Sequence, residues 1–93
     1  MRCELVELEM KAFLARDRGD LGEAIESLEE LVRINPQWEH GEAFFNLAQC
    51  YEEIGDLQKA KANYLRALEI QPDYYIFIEG YAAFLKHYGN VEK

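Results

Sequence analysis

Two stretches of the chain, GDLGEAIESLEELVRINP at residues 19–36 and GDLQKAKANYLRALEIQP at residues 55–72, carry Gly, Asp, Leu, Ala, Ile and Pro at matching positions. Repetition at a fixed offset constrains a fold strongly, because it marks one supersecondary unit that buries its apolar face only by stacking on a neighbour. The chain has two prolines, Pro36 and Pro72, and each closes a stretch with helical apolar spacing. A proline has no N–H to give and a fixed φ, so neither helix continues through it. The pairs Gly19-Asp20 and Gly55-Asp56 each join two such stretches. Glycine accepts the left-handed conformation that ends one helix, and aspartate caps the N-terminus of the next. Gly89-Asn90 repeats that chemistry, and Glu23 stands three residues after Asp20, the spacing of a reciprocal capping box. The pattern predicts five helices, near residues 4–17, 21–34, 40–53, 57–70 and 74–87, and no segment alternates like a strand.

The residue types on the third and fourth helices narrow this further. Phe44, Leu47, Ala48 and Tyr51, then Ala60, Tyr64 and Ala67, closed by Pro72, resemble the tetratricopeptide repeat, whose pattern is W-x2-L-G-x2-Y, A-x3-F and P. An aromatic stands for Trp, Ala for the small Gly and Tyr for Phe. The small Ala48 and Ala60 let the two helices approach closely, while Phe44, Tyr51 and Tyr64 fill the space beside them. The same slots read Leu8, Lys11, Ala12, Ala15, Ala24, Leu28, Leu31 and Pro36 in the first unit, and Ile78, Tyr81, Ala82 and Leu85 in the third. The resemblance implies an all-α fold in which antiparallel helix pairs stack as a right-handed superhelix, an α-solenoid of five helices. It divides a single domain, residues 1–93, into repeat one at about 5–38, repeat two at about 41–74 and a half repeat at about 75–93. Pro36 and Pro72 are 36 residues apart, against a period of about 34 in the family. The excess is assigned to QWEHGE at residues 37–42.

Composition excludes several functions. A net charge of -8 repels phosphate backbones and anionic lipid, and no run of Lys and Arg supplies a local basic patch, so neither nucleic acid nor a membrane is the expected partner. Cys3 and Cys50 form no CxxC or Cys/His cluster, which fits a reducing compartment and gives a cytoplasmic address. The N-terminal stretch lacks the apolar core and cleavage site of a leader, and no uncharged apolar run is long enough to span a bilayer.

Catalytic constellations are missing from the sequence. His40 and His87 lie in different units without HExxH spacing and read as surface or interface imidazoles. Cys50 reads as a small buried hydrophobe, and Cys3 has no evident activating neighbour. Glu52 and Glu53 are adjacent on a helix and point in different directions. The glycines form no phosphate-binding motif. No enzyme activity, cofactor or metal is expected.

The resemblance instead implies binding, since first helices of successive repeats line a concave groove that takes a partner segment. Carried over, the groove presents Val6, Glu9, Phe13, Arg16 and Asp17 from the first helix, with Glu42, Phe45, Asn46, Gln49, Glu52 and Glu53 from the third. The fifth adds Ile76, Glu79, Ala83, Lys86 and His87. Acidic groups outnumber basic ones there, which favours a peptide or protein with apolar anchors and some Lys or Arg. The alternatives for each aromatic are core and anchor, and for Asn46 an internal bridge or a bond to a partner backbone. A carboxylate clamp of the kind found in chaperone-binding members aligns with Glu9, Phe13, Asn46, Ile76 and Gly80, of which only Asn46 matches, so that subtype is set aside. The fifth helix carries Ile78, Ala82 and Leu85 on a face that a sixth helix would cover. Two explanations stand: the chain is a fragment of a longer array, or that face makes a homo-oligomer.

Overall fold

The computed structural model describes the backbone of residues 2–89 and the side chains of residues 4–89. Asn90 to Lys93, where a sixth helix would begin, and the Cys3 side chain lie outside the described residues. Five α-helices follow one another: α1 (Arg2–Asp17), α2 (Leu21–Ile34), α3 (Glu42–Ile54), α4 (Leu57–Ile70) and α5 (Tyr75–Tyr88). No strand occurs among the described residues.

The two Gly-Asp turns match each other atom for atom. Gly19 and Gly55 have φ of 85° and 90°. Behind them the Asp20 amide donates to the Ala15 carbonyl at 2.8 Å, and the Asp56 amide to the Tyr51 carbonyl at 2.9 Å, bonds that satisfy carbonyls otherwise orphaned at a helix end. Asp20 and Asp56 then cap the following helices by accepting from the Glu23 and Lys59 amides at 3.1 and 3.3 Å. The reciprocal arm of the expected capping box is absent, because Arg18 Nη2 holds the Glu23 carboxylate at 2.6 Å.

Alanine lines both seams. Ala15 and Ala24, in α1 and α2, and Ala48, Ala60 and Ala67, in α3 and α4, are completely buried. The small side chains allow close helix approach, while Leu28, Leu31 and Leu47 fill the flanks. The fifth helix is held differently, by aromatics. Phe77 stacks on Phe45 with centroids 5.0 Å apart, and Phe84 lies 5.3 Å from Tyr64. Gly80 faces Phe45 at this junction, where a Cβ would stand 2.6 Å from the ring.

The extra length between the prolines appears as a tight segment, Trp38–Gly41, before α3. Glu39, His40 and Gly41 take φ of 51°, 56° and 97° in succession, a left-handed run that costs the two non-glycine residues on the order of 1–2 kcal/mol each. This run is why α3 starts at Glu42 rather than at residue 40 as its apolar spacing indicated. Burial of Trp38 anchors the segment, and the Gln71 side-chain amide donates to the His40 carbonyl at 3.0 Å.

Candidate functional site

The groove residues separate into three groups once the helices are in place. On α1, Val6 and Phe13 are 40% and 43% exposed, and on α5 Ile76 is 43% exposed, so these apolar groups meet solvent. Glu79, Ala83, Lys86 and His87 are exposed on α5, and Asp17 on α1. Asn46 and Gln49 are half-buried on α3, on one face with Glu42 and Glu53 by their spacing.

A second group is tied up internally. Arg16 Nη1 donates to Gln49 Oε1 at 3.3 Å, and its Nη2 pairs with Glu53 Oε2 at 2.9 Å, which bridges α1 to α3. Glu52 accepts from the Tyr64 hydroxyl at 2.7 Å and from Tyr88. Burial first, then that bond to the Glu52 carboxylate, pushes the Tyr64 phenol well up from its usual range. Arg16, Gln49, Glu52, Glu53 and Tyr88 together line a cavity of about 280 Å³. Beside them the buried Cys50 thiol is pushed up by its burial, with Arg16 opposing, so it is a weak nucleophile.

Phe45 forms the third group and corrects the expected groove. It is 8% exposed, enclosed by Tyr64 and Phe77, and therefore belongs to the core. Helical spacing put it beside Asn46, but α5 docks across it because Gly80 leaves room. Gly80 itself, aligned with a clamp position, thus serves packing.

Acid accumulates around the start of α3. Burial, then the Glu39 charge, raises the Glu9 carboxyl above its usual range, while the Trp38 indole N–H lowers it and Glu42 raises it again. Burial and Glu39 raise Glu42 likewise. Among the described residues no group of three His, Cys, Asp or Glu side chains is arranged to hold a metal ion, and no helix is long and apolar enough to cross a membrane.

Sequence reasoning missed a larger cleft of about 860 Å³ on the opposite side, between α2 and α4. Its floor is Phe44 and Tyr51, with the Arg66 guanidinium 4.7 Å from the Phe44 centroid and Lys59 Nζ 5.5 Å from that of Tyr51. Only the placement of α2 beside α4 reveals it, so no local signal exists in the chain.

Paired antiparallel helices with small-residue seams, stacked side by side and without a catalytic constellation in the sequence, define a helical-repeat scaffold. The chain belongs to the tetratricopeptide repeat family, whose model matches residues 5–73. It is similar to the photosystem I assembly protein Ycf3 of Prochlorococcus marinus strain MIT 9211, with 36% identity over 64 residues, 67% of this chain and 36% of that protein. The protein of the same name from a second strain of Prochlorococcus marinus is 36% identical over 63 residues, with the same shares covered. The chain thus spans about a third of the length of these curated relatives. Membership of that family supports a protein-interaction role.

Proposed function

We propose that the chain is a non-catalytic module that holds an extended segment of a partner protein along the face formed by α1, α3 and α5. The observation that carries this reading is the exposure of Val6 and Phe13, three and four residues from Glu9 on α1, and of Ile76 on α5, together with the mutual repulsion of the carboxylates Glu9, Glu39 and Glu42. A partner with an apolar anchor and a Lys or Arg relieves both conditions, since the anchor leaves water and the cation neutralises the carboxylates. Asn46 offers a donor and an acceptor to the partner backbone. The relatives are named for assembly of a multi-subunit complex, and a scaffold that holds a subunit segment fits that work. Cytoplasm is the proposed address, on the strength of the unclustered cysteines.

Titration of labelled peptides that combine Leu or Phe with Lys or Arg tests the proposal. The native chain is expected to bind, and Phe13→Ala with Asn46→Ala to weaken binding at least tenfold while helicity and melting stay unchanged. Equal binding by the variant would place the partner on another face.

A second reading is favoured by α5, where Ile78 and Leu85 are 46% and 37% exposed and Ala82 lies open between them. That face serves self-association.

A further inference from the structure

Exposed large apolar side chains are concentrated on the two terminal helices. Val6, Met10, Phe13 and Leu14 lie on α1, and Tyr75, Ile76, Ile78 and Leu85 on α5, while α2, α3 and α4 contribute only Ile34, Ile54 and Leu65. Among the described residues, an interior helix of the stack has neighbours on both sides, whereas α1 and α5 each show an uncovered flank. Val6, Met10 and Leu14 repeat every four residues on α1, and Ile78, Ala82 and Leu85 follow i, i+4, i+7 on α5, so each set forms one stripe.

We propose that the outer face of α1 in one copy of the chain docks antiparallel on the outer face of α5 in a second copy. The inference rests on the self-association reading and names the surface that covers α5. In antiparallel register Leu14 lies opposite Ile78, Met10 opposite Ala82 and Val6 opposite Leu85, so the long flexible Met10 enters the gap that Ala82 leaves. Charges select the same direction. Glu79 and Lys86 run along one edge of the α5 stripe, and Glu7 and Lys11 along the corresponding edge of α1; all four are exposed. Antiparallel docking sets Glu79 beside Lys11 and Lys86 beside Glu7. Parallel docking turns the edges over and sets Glu79 beside Glu9 and Lys86 beside Arg16, two like-charge pairs. A symmetric α5–α5 contact satisfies Glu79 and Lys86 equally well. It sets Ala82 against Ala82, however, and leaves Val6, Met10 and Leu14 of both copies in water, whereas the α1–α5 contact, repeated head to tail from copy to copy, covers both stripes.

Sedimentation velocity over a concentration series tests the contact on the full chain and two blocked variants, Met10→Glu and Ile78→Glu. Both side chains are exposed, so helicity and the urea midpoint are expected to hold. The native chain is expected to form species larger than a monomer as concentration rises. Each blocked variant alone should require at least tenfold more protein to associate. An equimolar mixture should form a dimer, because the free α5 of the first variant meets the free α1 of the second. If Met10→Glu associates like the native chain and the mixture gains nothing, self-association survives and the α1–α5 contact is overturned. A native chain that stays monomeric throughout overturns both. Lys11→Glu and Glu79→Lys give an independent check that leaves the apolar stripes intact: each weakens association, and mixing the two restores it severalfold. No restoration contradicts the antiparallel register.

Discussion

Gly80 on α5 approaches Phe45 on α3 so closely that an added Cβ would stand 2.6 Å from Cε1 and 2.8 Å from Cζ of the ring. The ring has nowhere simple to go, since Phe77 stacks on one side and Tyr64 meets its edge. Gly80→Ala therefore sets about 1 kcal/mol of helix propensity gained against about 1–3 kcal/mol of overpacking. The expected net result is a loss of up to about 2 kcal/mol by urea denaturation. Gly22 on α2 is the control, because its nearest outside atom is 3.8 Å away; Gly22→Ala should gain about 0.5–1 kcal/mol. Equal responses at the two sites would show that α5 is not seated on Phe45.

The alanine seam makes a separate prediction. Ala60 has no exposed surface, whereas Lys59 beside it is exposed and covers the Tyr51 ring. Ala60→Leu should cost about 1–3 kcal/mol, and Lys59→Ala about 0.5 kcal/mol. Chemical denaturation of both variants checks the helical register directly.

Charge repulsion among Glu9, Glu39 and Glu42 gives a pH signature. Burial and Glu39 hold Glu9 and Glu42 above the usual carboxylate range in the folded chain. For an acid raised on folding, the stabilising contribution is complete below the unfolded pKa and is lost as pH rises through the folded one. Glu39→Gln removes one cause of both shifts. Its melting temperature should exceed that of the native chain at neutral pH, with the difference shrinking as pH falls through the carboxylate range and as salt is added. A difference independent of pH would mean that the carboxylates do not interact.

His40 tests the left-handed run before α3. With φ at 56°, a β-branched residue there is strained, while glycine is not. His40→Val is expected to lose about 1–2 kcal/mol, and His40→Gly to be neutral or to gain up to about 1 kcal/mol. Thermal melts of the pair suffice.

The sequence made the helices, turns and seams legible because each is written locally, in apolar spacing, in Gly-Asp pairs and in alanines at matching offsets. The site was less legible for physical reasons. Phe44 and Phe45 are adjacent aromatics on one amphipathic helix and both are buried, but the cover over Phe45 depends on where α5 lands, a question decided by Gly80 some distance along the chain. The resemblance to the repeat family implies that Glu52 and Arg16 line a groove, yet Tyr64 and Tyr88 hold the first while Gln49 and Glu53 hold the second. The left-handed run left its trace only as two surplus residues, whose conformation composition does not encode. Val6, Phe13 and Ile76, by contrast, are exposed to solvent.

Amide chemical-shift mapping of the labelled chain during titration with a peptide of apolar and basic residues tests the central claim most directly. The account predicts that perturbations gather on Val6, Glu9, Phe13, Asn46, Gln49, Ile76 and Ala83. Perturbations gathered instead around Glu29, Lys59 and Arg66, on the cleft between α2 and α4, would contradict it.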